Sequence, residues 1–294
     1  MKVRQIKELV RDYNLGISPR RMGQHFLVDE RALCRIAQEL QAGPSDRVLE
    51  IGAGLGALTE QLLATGATVY AVERDRRFLQ VLSGRFHDCP TLQLVRSDIL
   101  KVDLGSYALG EERSLLIIGN IPYSLTSPIL EFLLRQCRWV RRAILTIQKE
   151  VADRIVARPG TKAYSSLSIF ASVAFKPAVL LSIAPGAFYP QPKVTSSVLC
   201  LEPLAEPAVP AAEQEGFLRW MRALFLHRRK TLLNALPASG QGRDRASLQD
   251  AVRGAGVDPG CRAETLAVGQ LLPLYRAVHA YPISSAKRMI TGGE

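Results

Sequence analysis

The sequence predicts an α/β fold of the doubly wound type, followed by a small all-α domain. Three observations lead to this prediction. Residues 47–59 combine a short apolar strand, a glycine hairpin and the start of a helix. From residue 47 onward, strand patterns and helix patterns alternate regularly. After the proline-rich segment 202–210, every periodic segment is helical. We therefore expect one domain over 1–203 and a second over 204–294.

The N-terminal segment carries several basic residues. Residues 2–13 predict a short amphipathic helix, and residues 19–24 predict a loop. Arg20 and Arg21 lie in this loop, where they could bind phosphate groups. Asp29 is a suitable N-cap for the helix that follows.

Residues 47–52 predict a strand that is buried on both faces and stops at a glycine hairpin. Gly52, Gly54 and Gly56 allow a sharp turn and a close approach of a ligand to the backbone. Their spacing is G-x-G-x-G, whereas dinucleotide sites that seat a pyrophosphate on a helix N-terminus use G-x-G-x-x-G. The spacing therefore favours a nucleoside ligand without phosphate, such as S-adenosylmethionine, over NAD.

Two further strands are followed by carboxylates. The strand predicted over 68–73 ends at Glu73, in the position where a nucleotide-binding unit places its ribose-binding acid. The strand over 92–97 is followed by Asp98. Since the carboxyl ends of parallel strands meet at one edge of a sheet, we expect both acids to lie near the glycine hairpin.

The remaining elements follow from periodicity and from turn residues. In the first domain we predict helices over 30–41, 55–65, 75–86, 127–136, 149–157 and 167–175, strands over 114–119, 143–147, 178–183 and 194–202, and a loop over 101–113. In the second domain we predict helices over 213–226, 229–235, 246–254 and 269–279.

Composition and charge limit the classes of function. Hydrophobic residues make up 47% of the chain and charged residues 22%, as in soluble globular proteins. The 38 Lys and Arg exceed the 27 Asp and Glu, which gives a formal charge of +11 and indicates a polyanionic partner, most often nucleic acid.

The cysteines and the N-terminus indicate the compartment. The five cysteines are far apart and form no C-x-x-C pair, so we expect neither a zinc site nor a disulfide framework. The N-terminal segment lacks the apolar stretch of a signal peptide, and no run reaches the length of a membrane span. These features predict a cytoplasmic protein with no metal and no membrane partner.

Asn120-Ile-Pro-Tyr123 follows the fourth predicted strand, at the same edge as Gly52. The amino group of adenine is a poor nucleophile because its lone pair is delocalised into the ring. An acceptor pair that takes both N–H bonds favours a tetrahedral, attacking nitrogen, and the Asn120 side chain and the Ile121 carbonyl are such a pair. Pro122 restricts the backbone, and Tyr123 offers a ring on which a base can stack.

A second aromatic residue, Phe188, lies in a proline-rich loop before the last predicted strand. Two interpretations are open for it. The ring closes on the other face of the base, or it covers the hydrophobic core.

Taken together, these motifs resemble the ribosomal small-subunit RNA adenine N6,N6-dimethyltransferases, the KsgA family. The matching segments are 23–29 (GQHFLVD), 50–59 (EIGAGLGALT), 72–73 (VE), 97–100 (SDIL), 120–123 (NIPY), 148–152 (QKEVA), 188–196 (FYPQPKVTS), 228–236 (RRKTLLNAL) and 262–266 (RAETL). They span nearly the whole chain in the order of the family.

This resemblance implies a Rossmann-like sheet of the class I S-adenosylmethionine-dependent methyltransferases, with a helical rRNA-binding domain over 204–294. It implies transfer of methyl groups to N6 of two adjacent adenosines near the 3′ end of 16S rRNA, in the 30S subunit. We also expect a monomer.

Carried over by position, the resemblance implies two groups of site residues. The cofactor contacts are His25, Leu27, Gly52, Gly54, Glu73, Asp98 and Asn120. The residues at the target base are Asn120, Ile121, Pro122, Tyr123 and Phe188. Two positions depart from the family pattern, because Ala53 replaces a common proline and His25 stands where asparagine is frequent.

Three other functions are compatible with parts of the pattern. A 23S rRNA adenine methyltransferase of the macrolide-resistance type shares the fold and the Asn-x-Pro-Tyr motif, but residues 148–150 and the tail motifs favour the small-subunit enzyme. A ribosome-assembly factor without catalysis would not need the intact set of Glu73, Asp98 and 120–123. A DNA adenine methyltransferase is disfavoured because the sequence contains no DNA-reading motif.

Overall fold

The computed structural model describes residues 1–15, 24–108, 110, 112–237 and 244–279. The chain divides into two compact units. Unit 1 comprises Met1–Val156 and Ala174–Glu206, and unit 2 comprises Ala157–Val173 and Pro207–Glu294. The predicted loop 19–24, with Arg20 and Arg21, lies outside the described residues except for Gln24.

Unit 1 alternates strands and helices along most of its length. Its strands are β1 (Phe26–Leu27), β2 (Arg47–Ile51), β3 (Thr68–Glu73), β4 (Leu92–Arg96), β5 (Leu115–Asn120), β6 (Val140–Gln148), β7 (Phe175–Ile183), β8 (Phe188–Tyr189) and β9 (Ser196–Pro203). Its helices are α1 (Val3–Asp12), α2 (Glu30–Glu39), α3 (Ala57–Leu63), α4 (Arg76–Arg85), α5 (Thr126–Arg135) and α6 (Lys149–Ile155). Short 3₁₀ turns interrupt the predicted loop after β4.

Seven strands form one mixed sheet in the order β4-β3-β2-β5-β6-β9-β7. The pairs from β4 to β6 are parallel, whereas β9 is antiparallel to both of its neighbours. The strand order reverses direction between β2 and β5, so the carboxyl ends of these two neighbouring strands open a crevice. This confirms the predicted α/β fold.

Helices cover both faces of this sheet. Right-handed crossovers place α3 and α4 on one face and α5 on the other, because the chain moves in opposite directions from β2 to β4 and from β5 to β6. Apolar side chains of α2 and α3 pack on Val48, Val69, Leu116 and Ile118 of the sheet, all of which are buried. On α4, Phe78 and Val81 pack against Ile6 of α1.

Strands β1 and β8 form a separate two-stranded antiparallel sheet. Phe26 pairs with Tyr189, and Leu27 pairs with Phe188. The sequence did not predict this pairing, because each strand contains only two residues and the two lie far apart along the chain. The pairing brings the loop before α2 next to the loop before β9.

Unit 2 is helical. Its helices are α7 (Ser166–Ala174), whose last residue belongs to unit 1, α8 (Ala211–Leu226), α9 (Leu232–Ala235), α10 (Arg245–Gly254) and α11 (Val268–His279). Both tail motifs that carried the resemblance meet within this unit. Thr231 forms a β-bridge with Arg262, and the Arg228 guanidinium donates to the Glu264 carboxylate at 2.8 Å.

Helices and strands lie close to their predicted positions, with ends that differ by at most three residues. The domain division differs in two segments, and one of them is 204–206, which belongs to unit 1 although we predicted it in the second domain. Residues 157–173 belong to the compact unit of the helical tail, although we predicted them within the first domain. Within the described ranges, every helix is too short or too polar to cross a membrane.

Candidate active site

A cavity of about 460 Å³ opens at the carboxyl ends of β2, β3, β4 and β5. It is lined by the predicted cofactor positions His25, Leu27, Gly52, Gly54, Glu73, Asp98 and Asn120, and by Ile121, Pro122 and Tyr123. Phe188 is not among its lining residues. The structure thus brings together every predicted site residue except Phe188.

The glycine loop forms one wall of the cavity. Gly52 has φ +70°, and a Cβ placed on it would meet no atom within 4 Å. Open space at this backbone leaves room for a ligand. Gly56 is required for close packing instead. Its φ is +79°, and a Cβ there would lie 2.6 Å from the Phe86 ring.

Glu73 faces the glycine loop from the end of β3. One carboxylate oxygen accepts from the Gly54 N–H at 3.1 Å, and the other accepts from the N–H groups of Arg74 at 2.7 Å and Asp75 at 2.9 Å. Burial raises the pKa of the Glu73 carboxyl, while these three N–H donors act in the opposite direction. The bonds orient the carboxylate within the cavity.

Asp98 follows β4 and begins a short 3₁₀ turn. Its carboxylate accepts from the Leu100 N–H at 3.1 Å and lies 3.7 Å from the Arg74 guanidinium. Arg74 is largely exposed and also lines the cavity. Glu73 and Asp98 therefore carry two carboxylates on neighbouring strands of the same cavity wall.

Three charged residues line the cavity although the sequence did not single them out: Arg74 and Asp75, which follow β3, and Glu50. Glu50 lies inside β2, is 2% exposed and accepts a hydrogen bond from the Thr59 hydroxyl at 2.6 Å. Burial raises the pKa of the Glu50 carboxyl to about 7. The sequence contains a signal for this site residue, because Glu50 is a charged residue within the apolar, buried part of a strand.

The position of Asn120 depends on the close packing of β2 and β5. A Cβ on Gly119 would lie 2.7 Å from the Ile51 carbonyl oxygen, so only glycine lets β5 end this close to the glycine loop. The Asn120 amide Nδ2 donates to the His25 carbonyl at 2.8 Å, and the Ile121 N–H donates to the Thr146 carbonyl at 3.0 Å. This arrangement leaves Oδ1 of Asn120 as the acceptor atom of the amide.

Tyr123 lies beside Asn120 and is partly buried. Its hydroxyl oxygen is 3.0 Å from the hydroxyl oxygen of Ser196. The ring of His25 stacks against the Tyr123 ring, with centroids 5.7 Å apart and planes inclined by 28°. The His25 Nδ1 atom lies 2.6 Å from the Pro190 carbonyl oxygen, so the His25 ring is connected to the loop between β8 and β9, and the Tyr123 ring to the first residue of β9.

Phe188 lies outside the cavity that contains Asn120 and Tyr123. Its side chain is 4% exposed and packs in the same hydrophobic cluster as Leu27, Leu33 and Val198. The pairing of β8 with β1 turns this residue toward the core, where burial of an aromatic ring is favourable. The structure therefore favours the core interpretation of Phe188, and a contact of its ring with the target base stays a prediction.

A metal site is not formed by the residues that the structure describes, since no three His, Cys, Asp or Glu side chains there are grouped to hold an ion. The polar groups that line the cavity include carboxylates, backbone amides, the side-chain amides of Gln24 and Asn120, and the Arg74 guanidinium.

Residues 18–279 match the model of the family described as ribosomal RNA adenine dimethylase. The chain is 40% identical over 269 residues to the ribosomal RNA small subunit methyltransferase A of Geobacter metallireducens, which covers 90% of this chain and 97% of that protein. It is 39% identical over 271 residues to the protein of the same name from Moorella thermoacetica, with 90% and 93% covered.

Solved structures share the fold. A dimethyladenosine transferase from Plasmodium falciparum superposes with a TM-score of 0.72 at 23% identity, covering 85% of this chain and 96% of that one. The 23S rRNA methyltransferase ErmE superposes with a TM-score of 0.65 at 26% identity, covering 86% and 99%. These neighbours have a similar sheet with a similar helical extension.

Proposed function

The chain belongs to the ribosomal RNA adenine dimethylase family, and from this premise we infer that it transfers methyl groups from S-adenosylmethionine to N6 of adenosine in small-subunit rRNA. The observation that carries the inference is that the Asn120 amide lies in one cavity with Glu73 and Asp98. The acceptor for the amino group of the target base therefore lies in the same cavity as the two acids that we assign to the nucleoside of the methyl donor.

We propose as the target two adjacent adenosines near the 3′ end of 16S rRNA, each of which receives two methyl groups. The identity of 40% over 269 residues to a ribosomal RNA small subunit methyltransferase A supports the small-subunit substrate. The family motifs at 228–236 and 262–266, which meet in unit 2, support the same choice.

The residues present fit S-adenosylmethionine as the methyl donor. The open space at Gly52 accommodates a ligand against the backbone, and we propose that the Glu73 carboxylate accepts hydrogen bonds from the ribose hydroxyls. Asp98 is assigned to the amino group of the adenine in S-adenosylmethionine. His25 and Leu27 line the same cavity. When bound, S-adenosylmethionine supplies a methyl group on a positively charged sulfur atom.

At the target base, the protein acts through position and hydrogen bonding. Because Nδ2 of Asn120 is engaged by the His25 carbonyl, Oδ1 accepts from the target amine, and the Ile121 carbonyl accepts its second N–H. Pro122 and the 3₁₀ turn over Tyr123–Leu125 orient the backbone at this point. Tyr123 stacks on the base, which has left its own stack in the RNA.

When these two oxygens accept the N–H bonds of the target amine, the nitrogen moves toward the tetrahedral geometry in which its lone pair can attack. Displacement at a sulfonium methyl group needs no metal and no strong base, so alignment and exclusion of water account for most of the barrier reduction. Transfer would break the bond between the methyl group and sulfur, leaving S-adenosylhomocysteine, and the methylated nitrogen would release its extra proton to solvent.

We propose the 30S subunit as the partner and the cytoplasm as the location, with the protein acting as a monomer. The formal charge of +11 supports docking on rRNA phosphates. Unit 2 is proposed to contribute part of that rRNA contact through exposed basic residues such as Arg229 and Arg262.

The function is tested by incubating the protein with labelled S-adenosylmethionine and, in separate reactions, immature 30S particles, 50S particles or naked 16S rRNA. Digestion and chromatography then identify the modified nucleoside. We expect dimethyladenosine in 16S rRNA from 30S particles. Labelling confined to 23S rRNA would reject the small-subunit assignment, and tight 30S binding without labelling would indicate an assembly factor.

The role of Asn120 is tested with Asn120→Ala. This variant should lose methyl transfer while it retains 30S binding, because it removes one acceptor for the amine and no positive charge. Gln93→Ala is the matched control, since Gln93 is an exposed amide on β4 that does not line the cavity. Wild-type activity in Asn120→Ala would refute the assigned role.

A further inference from the structure

His25 contacts two residues of the base-binding motif through two different groups. We propose that His25 is a positioning residue for the target base, with its backbone carbonyl orienting Asn120 and its ring fixing the plane of Tyr123. This inference rests on the proposed function, and it assigns the His25 ring to Tyr123 and not to the cofactor.

The first contact fixes the orientation of an amide. Nδ2 of Asn120 donates to the His25 carbonyl at 2.8 Å, across 95 positions of sequence. A side-chain amide can turn by half a rotation and exchange its donor and acceptor ends. The carbonyl accepts only the donor end, so it selects the orientation in which Oδ1 is available to the target amine.

The second contact fixes a ring. The centroids of His25 and Tyr123 are 5.7 Å apart and their planes differ by 28°, which is an offset stack. The hydroxyl group at the far end of Tyr123 lies 3.0 Å from that of Ser196. Tyr123 is thus restrained both on a face and at its tip.

His25 is itself held in place by unit 1. Its Nδ1 atom donates to the Pro190 carbonyl at 2.6 Å, since a carbonyl oxygen can only accept. Pro190 directly follows β8, and Phe26 of β1 pairs with Tyr189 of β8. The two-stranded sheet that the sequence did not predict therefore determines where the imidazole lies.

The spacing of the rings indicates which face of Tyr123 receives the base. A base stacked between two rings would separate them by roughly 7 Å, which is twice the contact distance of carbon atoms. The observed 5.7 Å is shorter. His25 consequently covers one face of Tyr123 and leaves the opposite face for the adenine.

The test uses the full-length protein with 30S particles and the variants His25→Ala, His25→Phe and His25→Asn. Steady-state kinetics give kcat and the KM for 30S, and calorimetry gives the Kd for S-adenosylmethionine. All three variants keep the backbone carbonyl, so they test the ring. His87→Ala is the matched control, because His87 is an exposed surface histidine that pairs with Asp88.

We expect His25→Ala to lower kcat/KM for 30S by about threefold to tenfold, the factor that corresponds to one aromatic pair. The Kd for S-adenosylmethionine should stay within about twofold of the wild-type value. His25→Phe should recover most of the lost activity because it restores a ring, whereas His25→Asn should resemble His25→Ala.

Two results would overturn the proposal. One is a large increase in the Kd for S-adenosylmethionine in His25→Ala with unchanged kcat, which would make the side chain a cofactor contact. The other is a fully active His25→Asn alongside an inactive His25→Phe. If the wild-type protein does not methylate 30S particles at all, the proposed function fails instead, and the two failures are therefore distinguishable.

Discussion

The Glu50 carboxylate and the Thr59 hydroxyl form a 2.6 Å hydrogen bond in a part of the core where Glu50 is 2% exposed and Thr59 is fully buried. The bond joins β2 to α3 across the glycine loop. A carboxyl group in this position is costly to ionise, and the nearby Glu73 carboxylate adds to the cost.

The first prediction concerns pH. The Glu50 pKa is near 4.5 in an unfolded chain and about 7 in the native protein. Between these values the native state binds more protons, so the contribution of Glu50 to the free energy of unfolding is fully present below pH 4.5 and is lost as pH rises through 7. The loss amounts to about 3 kcal/mol, at 1.36 kcal/mol for each pH unit.

Urea denaturation at pH 5.5, 7 and 8.5 measures this effect in the wild type and in Glu50→Gln. The glutamine is neutral at each pH, so the variant should lose much less stability toward pH 8.5. Thr59 continues to have an acceptor in this variant. Parallel pH profiles of the two proteins would show that Glu50 is not the source of the pH dependence.

The second prediction separates two glycines that border the same cavity. Gly119→Ala places a Cβ 2.7 Å from the Ile51 carbonyl oxygen, and such overpacking costs about 1–3 kcal/mol of stability. Gly52→Ala meets no atom, so its cost to stability is limited to the strain of a positive φ, about 1 kcal/mol.

We expect the affinity for the cofactor to fall more in Gly52→Ala than in Gly119→Ala, which is the opposite of the order expected for stability. The Cβ in Gly52→Ala projects into space that lines the cavity, so we expect the KM for S-adenosylmethionine to rise by about tenfold, which corresponds to 1.4 kcal/mol. Urea denaturation and initial-rate kinetics measure the two effects. Normal cofactor affinity in Gly52→Ala would contradict the proposed location of the methyl donor.

Much of this architecture could be predicted because local signals agree. The apolar run of β2, the glycine hairpin and the acids at Glu73 and Asp98 are all encoded within a few residues, and the parallel sheet brings them to one edge without further information. The strand-end motif 120–123 was placed correctly for the same reason.

Features that depend on distant contacts were not predictable. The pairing of Phe26–Leu27 with Phe188–Tyr189 lacks a local pattern, since a two-residue strand shows no alternation. Segment 157–173 has a periodicity that suits either unit, and only tertiary packing assigns it to unit 2. The contacts of His25 follow from the same distant pairing.

The third prediction tests the core interpretation of Phe188. In Phe188→Leu, which keeps an apolar side chain, we expect stability to fall by less than about 1.5 kcal/mol and kcat to change little, because the ring is buried in the core cluster. Phe188→Ala should lose about 3–5 kcal/mol. A large fall in kcat for Phe188→Leu with unchanged stability would restore Phe188 to the base site.

The fourth prediction concerns Tyr123, whose ring is proposed to stack on the target base and whose hydroxyl contacts Ser196. Tyr123→Ala removes the stacking surface, and since base–aromatic stacking contributes about 1–3 kcal/mol, kcat/KM for 30S should fall by roughly 5- to 150-fold. Tyr123→Phe keeps the ring and loses only the bond to Ser196, so its activity should fall by about tenfold at most.

Ser196→Ala removes the same hydroxyl bond from the other side, and it serves as the matched control. If Ser196 acts only by restraining Tyr123, the double variant Tyr123→Phe/Ser196→Ala should be no less active than either single variant. Additive losses would mean that Ser196 acts on the RNA or the methyl donor independently of Tyr123. The hydroxyl contact restrains the Tyr123 ring at its tip, and His25 restrains it on one face. We therefore expect the coupling energy between Tyr123→Phe and Ser196→Ala to be large in the wild-type protein and smaller in the His25→Ala background.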